Sequence, residues 1–342
     1  MSNPPGFLRT SLCDRLGIEV PIVCGGMTAT GSAELAAGVS NAGGLGMLTC
    51  LHCRTPEGLR EEIARCRKLT DKPFAVNLTI LGEKRGAPEY PAEFAQVITS
   101  SGIKIVETCG GTVSLMQKLH QQLRDGGVTT IISKCVQVKH ALVAQDKLGS
   151  DVIALMGNDS GGLPGEVDMG VFVQMALAKR SLKIPFLASG GVATGEQLVA
   201  ALALGASGVQ IGTAFNTTKE CVKFPEAFKQ RMIEADAKAT GIVMRPMRGS
   251  SRVILNGDAR AILKIEKEKG ANIAFGDVAE YVMFDRLREG MANNDPDRGI
   301  WNCGQSVVLV NEVTTCKELV DRIMREAQDT IQNRLLPISS AL

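Results

Sequence analysis

The 342-residue chain has few aromatic residues, few histidines and no dense run of one charge sign. Aromatic residues make up 4% of the sequence, three residues are histidine, and 38 Lys/Arg against 36 Asp/Glu give a formal charge of +2. A chain without concentrated charge is a poor candidate for binding nucleic acid or an anionic membrane as its main partner. We therefore expect a small-molecule substrate, and we leave self-association into a homodimer open.

Long apolar stretches are also missing. No segment reaches the roughly 18 apolar residues of a membrane span, and Met1 to Asp14 lacks the apolar core of a signal peptide. The ten cysteines are scattered, apart from the pair Cys50 and Cys53, which has no second pair or histidine partner at metal-ligand spacing. We therefore predict free thiols, no metal site and a reducing, cytoplasmic environment.

Short apolar runs recur along the chain, and helical patterns separate them. Eight runs predict strands: Val20–Val23, Leu45–Leu48, Phe74–Leu78, Ile103–Glu107, Thr129–Lys134, Val152–Met156, Pro185–Ala188 and Gly208–Ile211. Helices are predicted between them, at Ala33–Asn41, Pro56–Lys68, Val113–Arg124, Val138–Lys147, Val171–Arg180 and Gly195–Leu204. Runs that are apolar throughout are typical of parallel strands covered on both faces. Eight of them alternating with helices predict a TIM (β/α)8 barrel of the α/β class.

A doubly wound sheet is the main alternative to the barrel. A doubly wound dinucleotide-binding fold predicts Gly-x-Gly-x-x-Gly after its first strand. The segment Gly25-Gly26-Met27-Thr28 does not match this pattern, and the count of eight strands favours a closed barrel.

The pattern changes after Thr213. Residues 219–312 contain helical patterns at Pro225–Ala239, Arg260–Lys269 and Val278–Glu289 without clear strand alternation. We predict a smaller, mainly helical inserted domain here, acting as a cap or a side domain. The amphipathic stretch Thr315–Arg334 predicts the eighth barrel helix, so residues 1–218 and 313–342 together form the barrel.

Two neighbouring loops of the predicted barrel are rich in glycine and hydroxyl groups. Ser189-Gly190-Gly191 follows the seventh strand, and Gly212-Thr213 follows the eighth. These are the loops at which such barrels commonly bind phosphate, because glycines let backbone N–H groups approach the anion. For one loop, glycines that only permit a tight turn explain the sequence equally well. Two adjacent loops of the same kind favour a phosphate site.

Three further positions lie at predicted strand ends. Lys134 ends strand five, Asn77 ends strand three, and Gly25-Gly26-Met27 follows strand one. The Lys134 ammonium and the Asn77 amide could contact the edge of a flat ligand ring such as a flavin, and the Met27 thioether could pack against its face. The alternatives are a solvated lysine, an asparagine that closes a turn, and a methionine that fills the core. The polar stretch Gly157–Glu166 follows strand six, so it is expected to lie over the same end of the barrel as these residues.

The sequence resembles the nitronate monooxygenase family, also called 2-nitropropane dioxygenase-like, a family of FMN-dependent barrels. The matching segments, in order, are Pro21-Ile22-Val23-Cys24-Gly25-Gly26-Met27, Asn41-Ala42-Gly43-Gly44-Leu45-Gly46, Pro73-Phe74-Ala75-Val76-Asn77-Leu78, Ala188-Ser189-Gly190-Gly191 and Val209-Gln210-Ile211-Gly212-Thr213. The stretches Gly299-Ile300-Trp301 and Cys303-Gly304-Gln305 are similar to the bacterial branch that includes NADH:quinone reductases.

The resemblance implies non-covalent FMN and an oxidoreductase that oxidises alkyl nitronates with O₂. It implies a phosphate site at Ser189, Gly191, Gly212 and Thr213, and a ring lined by Met27, Asn77 and Lys134. The predicted cofactor-binding set also includes Gly25, Gly26, Gly162, Gly190 and Gln210. NAD(P)H-dependent reduction of quinones or enoyl thioesters is the alternative within the same family, with NAD(P)H as the electron donor.

The sequence departs from the family pattern in the strand-six loop. Where the family usually has a histidine in that loop, this chain has Leu163. Where the quinone-reductase branch has an acidic residue, it has Met156, and in place of the glutamine before the first glycine pair it has Cys24. Leucine cannot transfer a proton, so the catalytic residues stay unassigned. The weak candidates are His52, Asp159 and Ser160, together with Glu166. Two further alternatives stay open: an FMN-binding protein with little or no turnover, and a flavin-free isomerase or lyase that binds a sugar phosphate.

Overall fold

Eight parallel strands form the centre of the protein in a computed structural model, which describes residues 7–81 and 90–340. They are β1 (Ile22–Cys24), β2 (Gly46–Thr49), β3 (Phe74–Ile80), β4 (Ile105–Gly110), β5 (Thr130–Cys135), β6 (Val152–Met156), β7 (Phe186–Ser189) and β8 (Gly208–Ile211). Their hydrogen-bonded order is β1-β8-β7-β6-β5-β4-β3-β2. A parallel bridge between Val23 and Leu45 joins the two ends of this order, so the predicted barrel is confirmed.

Helices surround the barrel. They are α1 (Ser11–Leu16), α2 (Ala33–Asn41), α3 (Cys50–Cys53), α4 (Pro56–Leu69), α5 (Pro91–Ser100), α6 (Val113–Asp125), α7 (Val138–Leu148), α8 (Val171–Ser181), α9 (Gly195–Ala203) and α10 (Thr213–Asn216). Among the described residues, no helix combines the length and the apolar character needed to cross a bilayer.

The strands agree with the apolar runs because each run is buried on both faces. All five residues of β6 are buried, for example. The strand β4 is the main difference, since it ends at Gly110 rather than at Glu107. Its last residues, Thr108, Cys109 and Gly110, are not apolar enough to extend the run, yet they pair with β3 in regular register.

The inserted segment contains α11 (Glu226–Ile233), β9 (Thr240–Val243), β10 (Ser251–Ile254), α12 (Gly257–Lys269), α13 (Ala279–Val282) and α14 (Phe284–Ala292). The sequence showed no clear strand alternation in this mainly helical segment, but it also contains two strands, β9 and β10, which pair antiparallel. Each has four residues, too few for a clear alternation. The predicted helix Pro225–Ala239 is shorter, and Val278–Glu289 is interrupted at Met283, where the backbone is extended (φ −68°, ψ 138°).

The insert has a small apolar core of its own, which supports the proposed division into a barrel and an inserted domain. Its buried members are Val243, Met244, Val253, Ala259, Ile262, Val278 and Val282. After the insert, α15 (Cys316–Asp329) packs against α9 and α2 and completes the ring as the eighth barrel helix. Its predicted apolar stripe is buried at Leu319, Val320, Ile323 and Ala327. A π-helical turn (Thr330–Leu335) and α16 (Leu336–Ser340) follow.

Three aromatic residues of the insert, Phe224, Phe228 and Trp301, belong to the same buried apolar cluster as the barrel strands and so attach the insert to the barrel. Trp301 is 2% exposed, and its ring centroid lies 5.4 Å from that of Phe224 and 5.2 Å from that of Phe228. Its Nε1 donates to the carbonyl of Pro296 at 3.0 Å. This cluster therefore combines a large buried area with a satisfied polar atom.

We expect Trp301→Ala to lower the free energy of unfolding by about 3–5 kcal/mol, because it removes a buried aromatic side chain and leaves a cavity. Urea unfolding followed by circular dichroism measures the change. Phe172→Ala is the matched control: Phe172 is 65% exposed, so its loss changes stability by about 0.5 kcal/mol or less. Equal effects of the two substitutions would contradict this account of the attachment.

Candidate functional site

The carboxyl ends of the strands open onto a cavity of about 190 Å³, hereafter the glycine-lined cavity. Every predicted cofactor-binding residue except Asn77 lines it: Gly25, Gly26, Met27, Lys134, Gly162, Ser189, Gly190, Gly191, Gln210, Gly212 and Thr213. The insert contributes Val282, Phe284, Leu287, Ile300, Trp301 and Asn302. Residues far apart in sequence meet here because all eight strands end at the same face of the barrel.

The loops after β7 and β8 present free hydrogen-bond donors to this cavity. Among the described residues, the backbone N–H groups of Gly191, Gly212 and Thr213 have no acceptor. The Thr213 hydroxyl accepts from the N–H of Gly304 at 3.0 Å, which leaves its proton for a ligand. Unpaired N–H groups and a hydroxyl around one cavity are the donors that an anionic group requires.

Glycine is required where these loops meet the strand-six loop. Gly190 has φ +81°, and a Cβ added there would lie 1.9 Å from the Ser160 hydroxyl oxygen. Gly191 has φ +74°, and its added Cβ would lie 2.5 Å from an Asp159 carboxylate oxygen. The backbone of the loop after β7 therefore packs directly against side chains of the strand-six loop. Only glycine, which has no Cβ, permits so close an approach.

A buried carboxylate lies at the base of the site. Glu107 on β4 is 0% exposed. The Asn77 amide donates to its Oε1 at 2.7 Å, and the Gln210 amide donates to its Oε2 at 2.5 Å. Lys134 Nζ lies 3.4 Å from Oε1. Because a buried charge is stable only when it is paired and hydrogen-bonded, these groups act as one network.

The sequence reasoning missed Glu107. The available signal was an acidic residue within the apolar run of β4, since acidic residues are rarely fully buried without a partner. Lys134 reaches the cavity wall as predicted, with Glu107 as its partner. Asn77 lies behind Gly26 instead of lining the cavity, because a Cβ on Gly26 would be 2.4 Å from Asn77 Cγ.

The polar residues around Leu163 are engaged in structural hydrogen bonds. The Asp159 carboxylate accepts from the N–H of Val171 at 3.0 Å at the start of α8, and burial raises its pKa. The Ser160 hydroxyl donates to the carbonyl of Ser189 at 3.0 Å. Glu166 accepts from the N–H of Ser250 at 3.0 Å and from its hydroxyl at 2.7 Å.

His52 lies outside the glycine-lined cavity. It lines a separate cavity of about 200 Å³, where its Nδ1 is 3.1 Å from the carbonyl oxygen of Ala29. Burial lowers the pKa of His52, so the ring is neutral near pH 7. A catalytic role for His52, Asp159 or Ser160 stays a prediction.

A larger cavity of about 720 Å³ adjoins the glycine-lined one, and we call it the side cavity. The two share Leu81, Cys109, Lys134 and Leu163, so Leu163 stands at their junction. Burial raises the pKa of the Cys109 thiol to about 11. The thiol is therefore protonated at neutral pH and is neither a base nor a thiolate nucleophile.

Comparisons with known proteins agree with this architecture. The description of the matching family is "Nitronate monooxygenase", over residues 9–326. A carboxyl-CoA dehydrogenase of Rhodococcus jostii, named for a hydroxy-methyl-oxo-octahydroindene substrate, is 29% identical and covers 94% of this chain and 96% of its own. A probable nitronate monooxygenase of Bacillus subtilis is 26% identical, covering 90% and 95%.

Among solved structures, FabK from Thermotoga maritima is 30% identical, with a TM-score of 0.84, and covers 95% of this chain and 98% of its own. The family match spans most of the sequence, including the loops of the glycine-lined cavity. The chain therefore belongs to the nitronate monooxygenase family, a family of oxidoreductases.

Proposed function

We propose that this chain is an FMN-dependent oxidoreductase that oxidises alkyl nitronates with O₂ and holds the flavin in the glycine-lined cavity. One observation carries the proposal: three residues that line the cavity at the mouth of the barrel, Gly191, Gly212 and Thr213, have backbone N–H groups without an acceptor among the described residues. This donor set fits a phosphate monoester such as that of FMN. Membership of the nitronate monooxygenase family supports the choice of flavin.

Different residues of the cavity would bind different parts of FMN. Gly191, Gly212 and Thr213, with the Ser189 hydroxyl nearby, would bind the phosphate, and Met27 and Lys134 would contact the ring. The bound flavin supplies the redox chemistry, while the protein supplies orientation and electrostatics. Asn77 would act indirectly, by orienting Glu107 and supporting Gly26.

The apolar Leu163 agrees with a substrate that needs no base. A nitronate is already an anion, so no proton has to be removed before oxidation. The Lys134 ammonium at the junction of the two cavities would attract that anion. The insert residues that line the cavity would exclude water from it. The chain's own contribution is therefore binding, orientation and desolvation rather than proton transfer.

A second candidate is the oxidation or reduction of a bulky thioester. It is favoured by the size of the side cavity, about 720 Å³, and by the name of the Rhodococcus relative, a carboxyl-CoA dehydrogenase. NAD(P)H as the electron donor, for reduction of enoyl thioesters or quinones, belongs to this candidate. A homodimer and a cytoplasmic location stay predictions under either candidate.

Gly212→Ala tests the phosphate site. Gly212 has φ −116°, which alanine tolerates, and an added Cβ would have Met27 Sδ as its nearest neighbour at 3.5 Å. The protein should fold, but the methyl group would occupy space at the proposed phosphate. We expect FMN affinity to fall about ten- to hundredfold, equivalent to about 1–3 kcal/mol, as measured by isothermal titration calorimetry.

Gly170→Ala is the control for this substitution. Gly170 has φ −66° and no atom within 4 Å of an added Cβ, and it does not line the glycine-lined cavity. Its FMN affinity should equal that of the wild type. A wild-type protein that takes up no FMN, or a Gly212→Ala variant with unchanged affinity, would refute the flavin site.

Leu163→His tests the role of the missing histidine. An imidazole at the junction of the cavities can remove a proton from a neutral nitroalkane, a contribution on the order of 10²-fold or more. We expect the rate on neutral nitroalkanes to rise by that factor above a pH of about 6.5, where histidine is neutral. The rate on preformed nitronates should stay unchanged.

Steady-state oxygen consumption with both substrate forms measures this difference. Leu163→Asn, a polar side chain of similar size that cannot act as a base, is the control and should gain nothing. A gain of equal size in both variants would mean that polarity, not proton transfer, is the limiting factor.

A further inference from the structure

The side cavity forms a recess that runs along one helix of the barrel. It is lined by the ends of β4 and β5 and by one face of α7, through His140, Val143, Ala144 and Leu148. At a rise of about 1.5 Å per residue, this face extends the cavity about 12 Å along the helix. Ala144 is buried, and Leu148 is the last residue of α7. The recess therefore reaches the far end of the helix.

Apolar side chains form most of the wall. Val113 and Met116 of α6 and Val143 and Ala144 of α7 are among the lining residues. Such a wall favours hydrocarbon because binding removes apolar surface from water.

The inner end of the recess is different, because it carries a cluster of buried polar groups. Thr108 and Ser133 line the cavity, and His120 and Ser150 lie behind them. All four residues are buried. Thr108 and Ser133 are paired in the register of β4 and β5, so their side chains lie on the same face of the sheet, toward the helices.

The hydrogen bonds of His120 determine which groups of this cluster donate and which accept. Its Nδ1 is 3.0 Å from the carbonyl oxygen of Leu148, which can only accept, so Nδ1 carries the proton. Nε2, 3.0 Å from the Thr108 hydroxyl, must then accept. Burial lowers the pKa of His120, which keeps the ring neutral. The Thr108 proton is therefore committed to His120.

One serine proton in the cluster lacks a close acceptor. The hydroxyls of Ser133 and Ser150 are 2.7 Å apart, so one of them donates to the other. When Ser150 is the donor, the Ser133 proton has only the Thr108 oxygen, at 3.4 Å, which is longer than the 2.5–3.0 Å or so of a good O–H···O bond. The serine pair can therefore donate to an oxygen atom of a ligand that enters the recess.

We infer that the side cavity binds the bulky apolar part of the substrate, and that the inner serine pair recognises a ketone or similar acceptor oxygen at its far end. The assignment deepens the proposed function, since it takes the reacting group to lie at the Leu163 junction beside the flavin. It makes Ser133 a specificity-determining residue. A substrate that is apolar throughout would bind less tightly, because the serine proton would stay without a partner.

A bicyclic ketone, 2-decalone, is a suitable probe of the recess. Calorimetric titration of the probe is carried out on the protein with and without saturating FMN, and FMN is titrated separately. We expect 2-decalone to bind the wild-type protein. Ser133→Ala should weaken its binding about five- to tenfold, the usual effect of one lost hydrogen bond, while FMN affinity stays unchanged.

Ala144→Leu fills the recess and should weaken probe binding more than tenfold. Ala176→Leu, on α8 and outside the three cavities, is the matched control and should bind normally. Val143→Phe, on a partly exposed part of the wall, serves if Ala144→Leu does not fold.

The outcomes separate the two proposals. Failure of the wild type to bind 2-decalone, or unchanged binding when the recess is filled, overturns the inference whatever the result with FMN. Equal probe affinity in the wild type and Ser133→Ala overturns the role of the serine pair. Loss of FMN binding alone refutes the proposed flavin site and leaves the recess standing, because the probe is also titrated without FMN.

Discussion

The need to pair one buried charge governs the mouth of this barrel. The Glu107 carboxylate is fully removed from water, so its partners must be held in fixed positions. Asn77 on β3, Lys134 on β5 and Gln210 on β8 all approach it. Gln210 also accepts from the Ser189 hydroxyl at the end of β7, at 2.8 Å. One carboxylate on β4 therefore organises the ends of four other strands.

The consequences reach both cavities. The Glu107 network fixes the orientation of the Asn77 and Gln210 amides, and it holds Lys134 at the junction of the glycine-lined and side cavities. The glycine loops can then approach the strand-six loop so closely that Ser160 and Asp159 occupy the space of a side chain. Asp159 and Ser160 of this loop form hydrogen bonds within the protein, and the neighbouring Leu163 is apolar.

The fold and the glycine-lined cavity were predictable because their signals are local. Apolar runs buried on both faces give the eight strands, and glycine–hydroxyl pairs after β7 and β8 give the donor loops. In the same way, the apolar stripe of α15 predicts the eighth barrel helix, which follows the insert. Where the local signal was weak no strand was predicted, as with the four-residue strands β9 and β10, whose stability depends on pairing with each other and with the core around Val243 and Val253.

The sequence by itself determined the order of elements and the chemistry available at each strand end. Only the tertiary structure decided which side chains meet: that Glu107 is the partner of Lys134, that Asn77 supports Gly26 from behind, and that Thr108, His120, Ser133 and Ser150 close an apolar recess. The physical reason is that burial and hydrogen-bond pairing depend on distances between residues on different strands and helices. Barrel closure and helix packing set those distances, and neither is encoded in a local stretch of chain.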